Sequence, residues 1–148
     1  MTVAVGIVFS PGGKVYSFDP GGLELAWNER VVCQTSRGQE LGRVVQANHE
    51  LEEEPGAPLK RVVRRATEID RETVETNREE ARRAMRVFRE VIREQGVTLK
   101  PVSAELVFDG SRLVFSYEAE QRPNAPRLQS ALRERLHRRV ELRSVGPR

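Results

Sequence analysis

Over the first third of the chain, apolar residues recur at every second position. Val3, Val5, Ile7 and Phe9 recur at every second position, the pattern of a strand with one buried face. Pro11-Gly12-Gly13 breaks the pattern with a turn, because glycine supplies positive φ at no steric cost. Alternation resumes from Lys14 to Asp19 and stops at Pro20-Gly21-Gly22. Residues 30–36 and 39–47 form two further strands, joined through Gly38. Short strands at this spacing, punctuated by glycine and proline, predict a small β-barrel or strongly bent sheet. Residues 48–58 lose the pattern. His49, Glu50, Glu52, Glu53 and Glu54 precede Pro55-Gly56-Ala57-Pro58, an acidic connection that places a boundary between a β-rich subdomain, 1–57, and a second subdomain, 58–148.

Beyond residue 58 the period changes. Leu59 to Arg65 reads as a short strand, and Thr67-Glu68-Ile69-Asp70 as a capping box with Asp in place of the longer Glu or Gln. A helix over 68–95 follows, its stripe made by Val74, Ala81, Met85, Phe88 and Ile92 with Ala84 and Val91 alongside, and Gly96 ends it. Residues 102–108 and 112–119 flank Asp109-Gly110, a strong hairpin signal. A second helix over 126–138 presents Leu128, Ala131, Leu132 and Leu136, and residues 140–145 alternate in a last strand. From residue 59 the order is β-α-β-β-α-β, that of a ferredoxin-like unit. The fold class expected is α+β.

The composition fits a globular chain with a modest core: 38% of the 148 residues are hydrophobic and 32% charged, with 5% aromatic. Val, Leu, Ile and Ala must therefore carry much of the packing. Of 25 basic residues only Lys14, Lys60 and Lys100 are lysines. Arginine's planar fork of donors suits carboxylates and phosphates. The single cysteine, Cys33, lies in an apolar run and supplies neither an internal disulfide nor, alone, a zinc or iron–sulfur site. The first residues have no basic n-region, and no apolar run approaches the roughly 20 residues of a membrane span. A cytoplasmic protein is expected.

Catalytic groupings are missing from the pattern. His49 and His137 have no nucleophile near them in sequence, and the acids of the long helix alternate with arginines as on a solvated face. Pro11-Gly12-Gly13-Lys14 lacks the spacing of a phosphate-binding P-loop and joins two strands. The stronger signal is charge. Residues 121–148 hold eight arginines against Glu134 and Glu141, enough to attract a polyanion or an acidic protein surface. No aromatic residue interleaves them, so the stacking platform of a single-strand binder is absent there. Arg135 lies close enough to the apolar face to snorkel over the core.

The block from Val5 to Phe9, with Pro11-Gly12-Gly13-Lys14-Val15-Tyr16-Ser17-Phe18-Asp19-Pro20-Gly21, resembles the opening of the PSP family C-terminal domain of bacterial YaaT/RicT-type proteins. Similar blocks follow at Val31-Val32 through Arg37-Gly38-Gln39-Glu40-Leu41-Gly42-Arg43-Val44-Val45, at 58–67, at Phe108-Asp109-Gly110 and at Arg139-Val140-Glu141-Leu142-Arg143. Together they cover nearly the whole chain. Family members typically continue into a cysteine-rich segment, GGIGxCGRxLCC, thought to ligate an iron–sulfur cluster. This sequence stops at Arg148, before that point, so the cluster implied for longer members lacks its cysteines here.

The resemblance implies a non-enzymatic adaptor or scaffold, acting with small helical partners to assist RNA processing by the endonuclease RNase Y. The alternative is a nucleic-acid-binding module using the Arg-rich C-terminal surface. Interaction candidates are Lys14, Arg37 and Arg43 in the β-rich part and Arg127, Arg133, Arg138 and Arg139 in the tail. No catalytic or metal-binding residue is expected.

Overall fold

A computed structural model describes residues 1–146. It is α+β, as expected, and divides into two compact units, Met1–Glu72 and Thr73–Arg148.

The first unit is one five-stranded sheet. Its strands are β1 (Val3–Val8), β2 (Tyr16–Phe18), β3 (Arg30–Thr35), β4 (Gly38–Glu50) and β5 (Val62–Arg65), in the order β2-β1-β4-β3-β5 with every neighbour antiparallel. The two edges of the sheet meet at one point. Asp19 N–H donates to the Lys60 carbonyl at 2.8 Å and Val62 N–H to the Asp19 carbonyl at 2.9 Å. Gly21 makes the approach possible, since its φ is +66° and an added Cβ would lie 2.6 Å from the Val62 carbonyl oxygen. Val5, Ile7, Phe18, Leu25, Val31, Cys33, Val44 and Val62 form the core.

Two details differ from the alternation. β1 is buried on both faces from Ala4 to Val8, where the pattern predicts a half-buried strand. The second face carries Ala4 and Gly6, and the Gln46 side chain lies where a Cβ on Gly6 would be. β4 also runs on through His49 and Glu50, residues expected in the acidic connection, because they pair with Ala4 and Val3 of β1.

In the second unit, β6 (Lys100–Leu106), β7 (Arg112–Glu118) and β8 (Arg139–Gly146) make a three-stranded sheet in that order. β6 and β7 are the predicted hairpin, with Gly110 at φ +74° and its N–H donating to the Val107 carbonyl at 2.8 Å. β7 and β8 are parallel, so the chain must cross over between them, and α2 (Ala125–Leu136) is that crossover. α1 (Glu68–Gln95) has the predicted limits. It contributes Ala84, Phe88, Val91 and Ile92 to a core completed by Leu128 and Leu132 of α2 and Leu113, Phe115, Tyr117 and Val140 of the sheet. The Phe88 and Phe115 rings lie 4.8 Å apart, centre to centre.

The ferredoxin-like unit expected from residue 59 is not formed as one sheet. β5, its required first strand, pairs with β3 instead, and β6, β7 and β8 make their own sheet without it. α2 also ends at Leu136, its last apolar position, two residues before the expected limit of 138. His137 adopts a left-handed φ of 54°, and its N–H donates to the Arg133 carbonyl at 2.8 Å, which closes the last turn.

Candidate interaction surfaces

The Arg-rich tail separates into tied and free guanidinium groups. Arg135 donates to Glu90 at 2.6 Å and to Glu94 at 3.2 Å, so it crosses to α1 carboxylates and not merely over apolar surface. Arg138 donates to the Gly110 carbonyl at 2.7 Å and to Glu80 at 2.6 Å, fastening the hairpin turn to α1. Arg143 pairs with Glu141 at 3.0 Å. Arg127, Arg133 and Arg139 have exposed side chains, and none makes an ion pair among the described residues. Three of the four tail candidates thus face solvent, while Arg138 holds elements of its own unit together.

The remaining candidates lie in the first unit. The Lys14 ammonium sits 5.3 Å from the centre of the Tyr16 ring, a cation–π distance on an exposed turn. Arg37 lies 3.6 Å from Glu40 across the β3–β4 connection. Arg43 donates to Asn28 Oδ1 at 3.4 Å.

That last bond leads to a feature the hydrophobic pattern does not reveal. Ala26 to Glu29 form a tight turn, with Glu29 N–H donating to the Ala26 carbonyl at 3.2 Å. Asn28 takes a positive φ of 77°, as the third position of a type II turn requires. The turn runs directly into a bulge. Asn28 N–H donates to the Val44 carbonyl at 2.7 Å, and Val44 N–H donates to the Glu29 carbonyl at 2.8 Å, so two residues oppose one. The Glu29 carboxylate accepts from Ala26 N–H at 2.7 Å and from Arg65 Nε at 3.0 Å. These bonds, the backbone one first, hold its pKa below the usual carboxylate value. Arg65 also donates to the Glu24 carbonyl at 2.6 Å. At the apex stands Trp27, the chain's one tryptophan, 67% exposed. Asn in a stretch flanked by glycine and lacking periodicity was the available signal for this turn.

Cys33 is wholly buried, and burial pushes its thiol up to about 12. One buried thiol cannot supply the ligands of an iron–sulfur cluster. Among the described residues no group of three or more His, Cys, Asp or Glu is placed to hold a metal ion. No helix among them is long and apolar enough to cross a membrane.

The protein-family model for the PSP1 C-terminal conserved region matches residues 60–145. The stage 0 sporulation protein YaaT of Bacillus subtilis (strain 168) is 34% identical over 145 residues, which are 97% of this chain and 53% of that protein. The chain therefore spans about half the length of the curated relative it matches. No solved structure matches.

Proposed function

This chain belongs to the family of the PSP1 C-terminal conserved region, and from that premise we propose that it is a non-enzymatic adaptor. It works in the cytoplasm, docks protein partners, and like the RicT-type proteins it resembles assists RNase Y-dependent RNA processing. The observation that carries the proposal is the 34% identity to a sporulation protein, sustained over 97% of the chain and so through both units.

The exposed arginines of α2 and β8 offer a partner positive charge. Arg127, Arg133 and Arg139 keep their charge available, whereas Arg135 and Arg138 are committed to Glu90, Glu94 and Glu80. Rim charges of this kind steer association with an acidic surface. The same exposed charge favours nucleic acid at this surface as a second reading, although no aromatic side chain interleaves it.

The test is calorimetric titration of the full chain with the soluble part of RNase Y from the same organism, with and without small helical partner proteins. Saturable binding, weakened tenfold or more in an Arg127→Glu/Arg133→Glu/Arg139→Glu variant, is expected. Absence of binding in both arms refutes the RNase Y adaptor role. Saturable binding by labelled RNA at this face, lost in the same variant, moves the assignment to nucleic acid.

A further inference from the structure

We propose that the Trp27 turn, together with Arg30 and Arg43, is a docking site for single-stranded nucleic acid: one base stacks on the indole while neighbouring phosphates meet the two guanidinium groups. The site lies wholly within the first unit and goes beyond the adaptor role, since it depends on none of that role's partners.

Three observations converge. The first is exposure. Tryptophan is a highly buried residue on average, and the chain's single copy leaves 67% of its surface in water. The second is rigidity. The turn that presents it is fixed by the Ala26–Glu29 backbone bond, the bulge opposite Val44, and the Glu29 carboxylate held between Ala26 N–H and Arg65. Ordering a side chain or loop on binding costs affinity, and here much of that ordering is built in.

The third is charge. Arg30 of β3 and Arg43 of β4 are direct cross-strand partners, so their side chains leave the same face of the sheet. Like charges so placed repel, and no acid among the described residues forms an ion pair with either. Arg43 reaches the amide oxygen of Asn28, which sets a guanidinium one residue from the indole. A polyanion relieves the repulsion.

The combination selects the class of ligand. An acidic peptide satisfies the arginines and leaves the indole face uncovered, whereas a nucleotide strand uses both. Every base has a flat face, so stacking is sequence-tolerant. Asn28, next to Trp27, already accepts from Arg43 with its amide oxygen. In a duplex the base faces are covered by their neighbours, which restricts the site to single strands. The tail arginines lack an aromatic partner in sequence, whereas here Trp27 lies three residues before Arg30 and next to Asn28, the residue Arg43 bonds.

The single tryptophan makes the site its own reporter. The full chain is titrated with a ten-residue oligouridylate, with a ten-residue oligothymidylate, with a hairpin duplex and with a ten-residue polyglutamate, following tryptophan emission at several salt concentrations. Both single strands are expected to quench Trp27. Their affinities should fall with salt along a log–log slope of about −1.4, the value for roughly two phosphates on a single strand. In anisotropy with a labelled strand, Trp27→Leu and Arg30→Ala/Arg43→Ala should each weaken binding roughly tenfold or more while circular dichroism stays native. No quenching at low salt overturns the proposal. So does equal quenching by polyglutamate or by the duplex, or unchanged strand affinity in both variants. Failure of the chain to bind RNase Y leaves every one of these readouts intact, so the two proposals fail separately.

Discussion

Asp70 accepts both terminal nitrogens of Arg64, at 2.6 and 3.0 Å, and with the same carboxylate takes the Thr67 N–H at 2.7 Å. Asp70 N–H in turn donates to Thr67 Oγ1 at 3.4 Å, so the capping box closes in both directions. The shorter Asp reaches because Thr67 and Asp70 are drawn together at the first turn of α1, and Arg64 at the end of β5 occupies the remaining carboxylate positions.

The Arg64 guanidinium, then the Thr67 N–H, hold the Asp70 carboxyl at about 2, below its usual 3.8. A depressed folded pKa contributes stability that is fully present above the unfolded value and is lost as pH falls through the folded one. Stability should therefore drop between about pH 4 and pH 2 in the parent, and this component should vanish in Asp70→Asn. At neutral pH the variant should lose about 1–2 kcal/mol in urea unfolding. A parent and variant with parallel acid profiles would refute the role given to Asp70.

Arg138 and Arg139 are neighbours in sequence with opposite employment. Arg138→Ala removes the bonds to Gly110 and Glu80 and should cost about 1–2 kcal/mol. Arg139→Ala removes an exposed side chain and should stay within about 0.5 kcal/mol of the parent. Thermal unfolding of the two variants side by side checks the contrast.

Gly21 and Gly22 both have positive φ, at 66° and 82°. Alanine at Gly22 meets open space and should cost about 1 kcal/mol for the backbone alone. Alanine at Gly21 adds a collision with the Val62 carbonyl and should cost about 2–3 kcal/mol. Urea midpoints that rank the two the other way would remove Gly21 from the closure of the sheet.

Cys33 should be chemically silent. With the thiol raised to about 12 and its side chain wholly buried, an aromatic disulfide reagent near pH 8 should leave the folded chain unmodified. The same reagent should titrate one thiol once guanidinium unfolds the protein. Fast labelling of native protein would contradict the packing of β3.

The sequence spoke most clearly where one local rule settled the matter. α1 was readable to both ends because a stripe of Phe88, Val91 and Ile92, a capping box and Gly96 agree. The Asp109-Gly110 hairpin was readable for the same reason. Pairing between distant strands was not, because a period of two names the buried face of a strand and not its neighbour. β5 fits the start of a ferredoxin-like unit as well as it fits β3, and only the contacts of Val62 with the first core decide. For the surfaces, counting arginines found the basic tail but could not tell Arg138, spent on Glu80, from Arg139, which is free. Trp27 escaped because an exposed aromatic on a turn belongs to no period, and Arg30 because its like-charged partner Arg43 lies thirteen places away in sequence and directly opposite in the sheet.

The late position of β5 bears on synthesis. A chain leaving the ribosome N-terminus first has β1 to β4 out while the strand that brings the edges together is still to come. Until Lys60 to Arg65 emerge, β2 and β3 offer open ladders on which another nascent chain could template. The same few residues then hand the chain to α1 through Arg64 and Asp70. Completion of the first unit and the start of the long helix are thus one event in translation, and a stall before residue 65 leaves the first sheet with both edges bare.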